Sequence, residues 1–177
     1  LLSYDFAVHK QNDWATPAND ILQLTFWTPQ FCELLIEAAE LLNEWKPLEN
    51  DNYPARELRL SRISPKLVEH IEQHFSWRVV PWMRQVWHPF TYKGLKDLFI
   101  IKYSKYSQSS LALHHDTSHV SASIKLNDTY SGGALEFPRQ SFENTNVPVG
   151  SMLVWPSSVT HPHQSTEITE GTKYSVT

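Results

Sequence analysis

From residue 98 onward the chain breaks into short runs rich in strand-forming residues, at 98–105, 110–114, 120–127, 134–137, 151–155, 159–163 and 173–177. Turn formers stand between them: Asn127-Asp128, Ser131-Gly132-Gly133 and Val149-Gly150. Short segments punctuated in this way read as a series of β-strands joined by turns. Gly132-Gly133 reads as a tight turn with positive φ, a structural role.

The first half has a different period. Thr28-Pro29 supplies an N-cap followed by proline at the first helical position. Phe31, Leu34, Leu35, Ala38, Leu41, Leu42 and Trp45 then recur at helical spacing, with Glu33, Glu37, Glu40 and Glu44 between them as a solvated face. The spacing predicts an amphipathic helix over 31–45 docked on a sheet. Ser64-Pro65 repeats the start signal, and Leu67, Val68, Ile71 and Phe75 give a second helix that either continues to Trp77 or restarts near Pro81 and runs to Trp87. Trp77, Trp82 and Trp87 fall five apart, which keeps no single helical face, and they are read as packing residues. Residues 1–23 read as an irregular arm, 22–27 and 56–63 as short strands, and 46–57, rich in Pro, Asn and Asp, as a loop.

Helices followed by many short strands define an α+β domain. A double-stranded β-helix, the jelly-roll of cupins, is the all-β candidate for its core. With 177 residues the expected organisation is one domain over 1–177, with helical support over about 1–97 and the β-helix core over about 98–177. The chain begins without methionine and ends inside a strand-like pattern, and is read as a piece of a longer protein. Fifteen basic against nineteen acidic side chains carry no nucleic-acid footprint, and no run of 18 apolar residues exists to span a membrane. Cys32, the single cysteine, excludes an internal disulfide and reads as a small buried residue of the first helix.

The chemistry gathers at two places. His114 and Asp116 are one residue apart, so on an extended strand both side chains leave on the same face. A histidine from the segment 156–163 would complete two imidazoles and one carboxylate on one side of a metal, the ligand set of non-haem Fe(II) oxygenases; a zinc hydrolase is the competing reading. With nine histidines in the chain, a His-x-Asp triplet carries little alone. A basic residue downstream adds weight: ten residues after His163 comes Lys173, in the strand-like stretch Gly171-Thr172-Lys173-Tyr174-Ser175. Its ammonium can pair with the far carboxylate of a dicarboxylic co-substrate that chelates the metal at its other end. His161 and His163 alternate onto one face, so residue spacing leaves both open as the third ligand.

Tyr103, His114-His115-Asp116, Ser123, Leu126-Asn127, Tyr130-Ser131-Gly132-Gly133, Thr160-His161-Pro162-His163 and Gly171-Thr172-Lys173-Tyr174 resemble the catalytic domain of the procollagen lysyl hydroxylases. More broadly they are similar to the prolyl 4-hydroxylase group of Fe(II)/2-oxoglutarate dioxygenases. The likeness covers most of the chain and is strong from about residue 98.

The resemblance implies Fe(II), 2-oxoglutarate, O2 and ascorbate, and His114, Asp116 and His163 as ligands. His163 is preferred to His161 because the family's ligand stands ten residues before the basic residue. His115 then faces away. Lys173 and Tyr103 correspond to the family's anchors for the co-substrate carboxylate. Ser123 and Asn127, alike in strand parity, line the pocket; this role for Asn127 outweighs the glycosylation sequon it begins. Lysyl hydroxylases carry arginine where Lys173 stands, whereas collagen prolyl 4-hydroxylases carry lysine, so lysine in a collagen-like peptide is the first substrate reading and proline the second. A non-catalytic metal-binding cupin-like module is the rival from another class. A homodimer and the endoplasmic reticulum lumen are implied for a true procollagen hydroxylase, and the cytoplasm otherwise.

Overall fold

The computed structural model describes residues 4–9, 13–46, 56–88 and 91–177. Most of the loop expected at 46–57, and residues 1–3 and 10–12 of the expected arm, lie outside the described residues.

A short helix α1 (Tyr4–Ala7) and strands β1 (Ala15–Ala18) and β2 (Ile21–Thr25) precede helix α2 (Pro29–Leu42). The Thr28 hydroxyl accepts the Phe31 N–H at 3.3 Å, and α2 ends where Asn43 turns left-handed at φ 49°. Its inner face buries Cys32, Leu35 and Ala39. Burial pushes the Cys32 thiol up to about 12, so it stays protonated and behaves as an apolar side chain.

Strand β3 (Arg56–Arg59), helix α3 (Leu60–Ile63) and helix α4 (Pro65–His74) come next, with Ser64 capping α4 through the Leu67 N–H at 3.3 Å. A π-helical turn, Phe75–Val79, then joins α4 to α5 (Val80–Val86) without a break. Pro81 offers no N–H, and its ring would collide with a carbonyl one turn back in regular α-helix. The Val80 N–H reaching back to the Phe75 carbonyl widens the turn just ahead of that proline.

Among the three tryptophans, Trp82 packs on Trp14 at 4.1 Å between centroids and Trp87 donates its indole N–H to Asp20 at 3.2 Å. Trp77 does not pack as expected: it is 74% exposed, because the widened turn rotates it away from the sheet.

The remaining strands are β4 (Phe99–Ser104), β5 (Leu111–His114), β6 (Val120–Lys125), β7 (Tyr130–Gly132), β8 (Leu135–Phe137), β9 (Phe142–Glu143), β10 (Ser151–Pro156), β11 (His163–Ser165) and β12 (Ile168–Val176). The strand expected at 159–163 begins only at His163, since Pro162 cannot donate to a ladder and 157–160 form turns.

Among the described residues the strands form an eight-stranded sheet in the order β1-β2-β10-β6-β12-β4-β3, with β7 also on β12, and a four-stranded sheet β5-β11-β8-β9. Every pairing is antiparallel. The first 97 residues are therefore more than helical support, because β1, β2 and β3 are strands of the larger sheet.

Alternation along β10 shows how the layers form. Met152 and Val154 face the helices, in a core with Leu22, Leu24, Cys32, Ile71 and Met83. Leu153 and Trp155 face the smaller sheet and pack with Ile21, Phe137 and Val147. Both faces are covered, which is why the strand reads as a continuous apolar run. Each such large side chain stabilises the fold by roughly 1.5–3 kcal/mol. The site lies in the space between the two sheets.

Candidate active site

Strand β5 ends at His114, and β11 runs antiparallel to it with His163 directly opposite. The two rings stand 4.4 Å apart between centroids. Asp116 lies past the end of β5, so the loop rather than strand parity turns its carboxylate back to the rings. Oδ1 is 3.4 Å from His114 Nε2, Oδ2 is 3.5 Å from His163 Nε2, and the candidate ligand atoms of all three residues lie within 4.8 Å of one another.

Each imidazole is held by its other nitrogen. His114 Nδ1 lies 2.8 Å from the Ala112 carbonyl and His163 Nδ1 3.0 Å from the His161 carbonyl. A carbonyl only accepts, so both Nδ1 atoms carry the proton and both Nε2 lone pairs face the common point. Burial holds the His163 imidazole below its ordinary value and keeps it neutral, the form that binds metals. Burial by itself would raise the Asp116 carboxyl, but the neighbouring His114 and His163 and the Ser121 hydroxyl, which donates at 2.5 Å, hold it below the usual carboxylate range. Two neutral imidazoles and one carboxylate, converging with fixed tautomers, fit a divalent metal of the iron class.

His163 packs between Trp155, 5.0 Å away and nearly perpendicular, and Phe137 at 5.5 Å. His161 is elsewhere: its ring bonds the Asn19 carbonyl at 3.0 Å and the Thr160 hydroxyl at 2.8 Å, tying this loop to the turn between β1 and β2. His115 does not turn wholly away as expected: it is exposed, yet it lines the mouth of the same cavity as the three ligand candidates.

A cavity of about 1170 Å³ opens from the three ligand candidates and reaches Tyr103, Ser123, Ser165 and Lys173. Lys173 on β12 sits opposite Tyr103 on β4, only 4% exposed, with its Nζ 5.2 Å from the centre of the Tyr103 ring. The ammonium donates to the Gly133 carbonyl at 2.7 Å and to the Ser165 hydroxyl at 3.0 Å. Burial, aided by the charge of Lys125, lowers Lys173 to about 7. Burial and the neighbouring Glu57 raise the Tyr103 hydroxyl above its ordinary value, so it stays protonated and can donate.

Asn127 is not among the residues that line the cavity. Its amide donates to the Thr172 carbonyl at 2.8 Å and accepts from the Tyr174 N–H at 2.9 Å, pinning the chain after β6 to β12. Strand β6 stops at Lys125, so the alternation that places Ser123 inside does not extend to Asn127. Sequence reasoning missed Ser121 and Ser165. Each is two residues from a recognised position, Ser123 and His163, and parity along the strand was the signal that could have found them.

Fold and site together define a double-stranded β-helix domain with a candidate metal site between its sheets. Residues 101–177 match the family model of the 2OG-Fe(II) oxygenase superfamily. A procollagen lysyl hydroxylase and glycosyltransferase of Acanthamoeba polyphaga mimivirus is 27% identical over 96% of this chain, and the Drosophila melanogaster procollagen-lysine,2-oxoglutarate 5-dioxygenase 26% over 97%. The chain spans 21% and 26% of the lengths of these two curated relatives.

Among solved structures, the viral collagen prolyl hydroxylase of Paramecium Bursaria Chlorella virus-1 superposes with a TM-score of 0.67 at 14% identity, covering 89% of this chain and 93% of that one. A Pseudomonas putida prolyl-4-hydroxylase gives 0.56 at 19% identity, covering 89% of each chain. Residues 101–177 carry the 2OG-Fe(II) oxygenase match, within a chain similar over nearly its whole length to procollagen lysine hydroxylases.

Proposed function

We propose that this chain hydroxylates a peptidyl side chain with Fe(II) and 2-oxoglutarate, acting on lysine in collagen-like sequence. The observation that carries the reading is the convergence of His114, Asp116 and His163 on one point, with the buried ammonium of Lys173 in the same cavity. Ferrous iron bound by the three side chains, with 2-oxoglutarate and O2, supplies the oxidation that replaces a C–H bond by C–OH and yields succinate and CO2; ascorbate keeps the iron reduced.

The protein's part is positional. Nδ1–H bonds to the Ala112 and His161 carbonyls aim both Nε2 atoms at the metal, and the Ser121 hydroxyl fixes the Asp116 carboxylate. Lys173 takes the far carboxylate of the co-substrate, with the Tyr103 hydroxyl as a second donor and Ser123 along the wall. Lys173 is protonated only up to about neutral pH when the pocket holds no anion, and an incoming carboxylate draws a proton onto it.

Proline is the second reading. It is favoured by lysine at position 173 in place of arginine, which would grip a carboxylate with two bonds, and by the fold's likeness to prolyl hydroxylases. The proposal extends to a collagen-like partner, on the similarity to procollagen hydroxylases, and to a homodimer and the endoplasmic reticulum lumen on the family resemblance alone.

The test is succinate release from 2-oxoglutarate with Fe(II) and ascorbate, together with mass spectrometry of Gly-X-Lys and Gly-X-Pro peptides. One added oxygen on lysine supports the first reading and on proline the second. No succinate, with or without peptide, returns the domain to a metal-binding module.

A further inference from the structure

A second lysine is buried beside Lys173. Lys125 stands on β6 directly opposite Ser175 of β12. Ser175 is two residues from Lys173, so all three side chains leave on the face that looks toward the smaller sheet. Lys125 is 8% exposed and is not itself among the residues that line the cavity; its Nζ donates to the Thr145 carbonyl at 3.0 Å, next to Asn144, which does line it. An ammonium has three N–H donors, and that bond uses one.

Around Lys173 the facing groups are the Tyr103 ring from β4, the Ser165 hydroxyl from β11 and the Gly133 carbonyl, all neutral; Lys125 is the neighbouring charge. Around Lys125 the charged neighbours are Lys173 and Asp128, the latter exposed. Among the described residues no carboxylate lies within ion-pair distance of either ammonium. Two cations buried side by side without a counter-ion oppose folding, and an anion seated against them removes the cost. One lysine suffices for the single carboxylate that the family pattern brings to this end of the pocket, so Lys125 is surplus to it.

We propose that Lys125 is a second cationic group behind the wall of the co-substrate pocket, so that the far carboxylate of the dicarboxylate, seated on Lys173, lies in the field of two ammoniums. This rests on the reading that a dicarboxylate sits against Lys173. It makes the pocket selective for ligands with a charged far end over monocarboxylates of similar size.

The experiment is calorimetric titration of the Mn(II)-loaded protein with 2-oxoglutarate and with 2-oxobutyrate, for wild type, Lys125→Met, Lys125→Arg and Lys173→Met. Lys125→Met is expected to weaken 2-oxoglutarate about tenfold, to leave 2-oxobutyrate unchanged, and to be largely rescued by arginine. Titrations at pH 8 in buffers of different ionisation heat add a signature that loop support alone would not produce. Proton uptake on binding falls in Lys125→Met, because Lys173 without its neighbouring cation holds a larger share of its proton before the ligand arrives.

If Lys125→Met binds like wild type while Lys173→Met does not, Lys125 only supports the 143–147 loop and the proposal is wrong, though the site reading stands. If neither change matters, the dicarboxylate lies elsewhere and both readings fall. Should Lys125→Met not fold, lysine side-chain NMR of the wild type decides: the Lys125 ε resonances move on adding 2-oxoglutarate, and their failure to move refutes the assignment.

Discussion

Lys173→Met should make the ligand-free protein more stable and useless as an oxygenase. Burial brings the ammonium from 10.5 to about 7. At about 1.4 kcal/mol per unit, holding it charged between the sheets opposes folding by about 5 kcal/mol. Methionine removes that penalty but leaves the Gly133 carbonyl and Ser165 hydroxyl without their donor, returning roughly 1–3 kcal/mol. A net gain of about 2–4 kcal/mol remains.

The sign with pH comes from proton counts. Between about pH 7 and 10.5 the unfolded lysine holds a proton that the folded one has lost, so wild-type stability rises through this window. Below pH 7 both forms are charged and the penalty is complete. The advantage of Lys173→Met is therefore full at pH 6 and shrinks by about 3–4 kcal/mol by pH 9.5. Urea unfolding of both proteins at the two pH values, without metal or dicarboxylate, measures it. An equal gap at pH 6 and 9.5 would refute the claim that a costly buried charge sits at position 173. Adding 2-oxoglutarate to the Mn(II)-loaded proteins should raise the midpoint of the wild type further and leave the variant at its Mn(II)-loaded value.

Asp116→Ala and His163→Ala should each end succinate release, while His161→Ala keeps it within about threefold and costs about 1 kcal/mol of stability for the lost bond to Asn19; turnover and urea midpoints separate the two classes. Gly132→Ala should destabilise by about 3 kcal/mol or more, because φ is 75° and a Cβ would lie 2.1 Å from the Glu167 carbonyl oxygen, which is backbone and cannot step aside. Thr28→Ala removes the cap of α2 and should lower stability by about 1 kcal/mol at any pH between 6 and 9.

Local signals were legible where local physics decides. Thr28-Pro29 and Ser64-Pro65 start the helices as written, and β4, β6 and β10 fall within two residues of the expected runs. The ten-residue spacing from His163 to Lys173 is real geometry, since β11, a short turn and β12 bring both into one cavity. Long-range pairing was not legible. Nothing in Ile21–Thr25 announces that it adds to β10, because strand register depends on a partner 130 residues away. Asn127 was misplaced because alternation was carried past the true strand end, and Trp77 because a π turn leaves no periodic trace. Nothing in the sequence singled out Lys125, because its burial comes from tertiary packing.

The position of β2 bears on how this domain can be handled in isolation. In the larger sheet it closes off one side of β10, while β3 closes off β4. The stretch from 101 onward, produced alone, would present two bare ladder flanks and an uncovered apolar floor where α2 and α4 now rest. Such a fragment should self-associate through those flanks, so the smallest piece that remains monomeric has to begin upstream of Ile21.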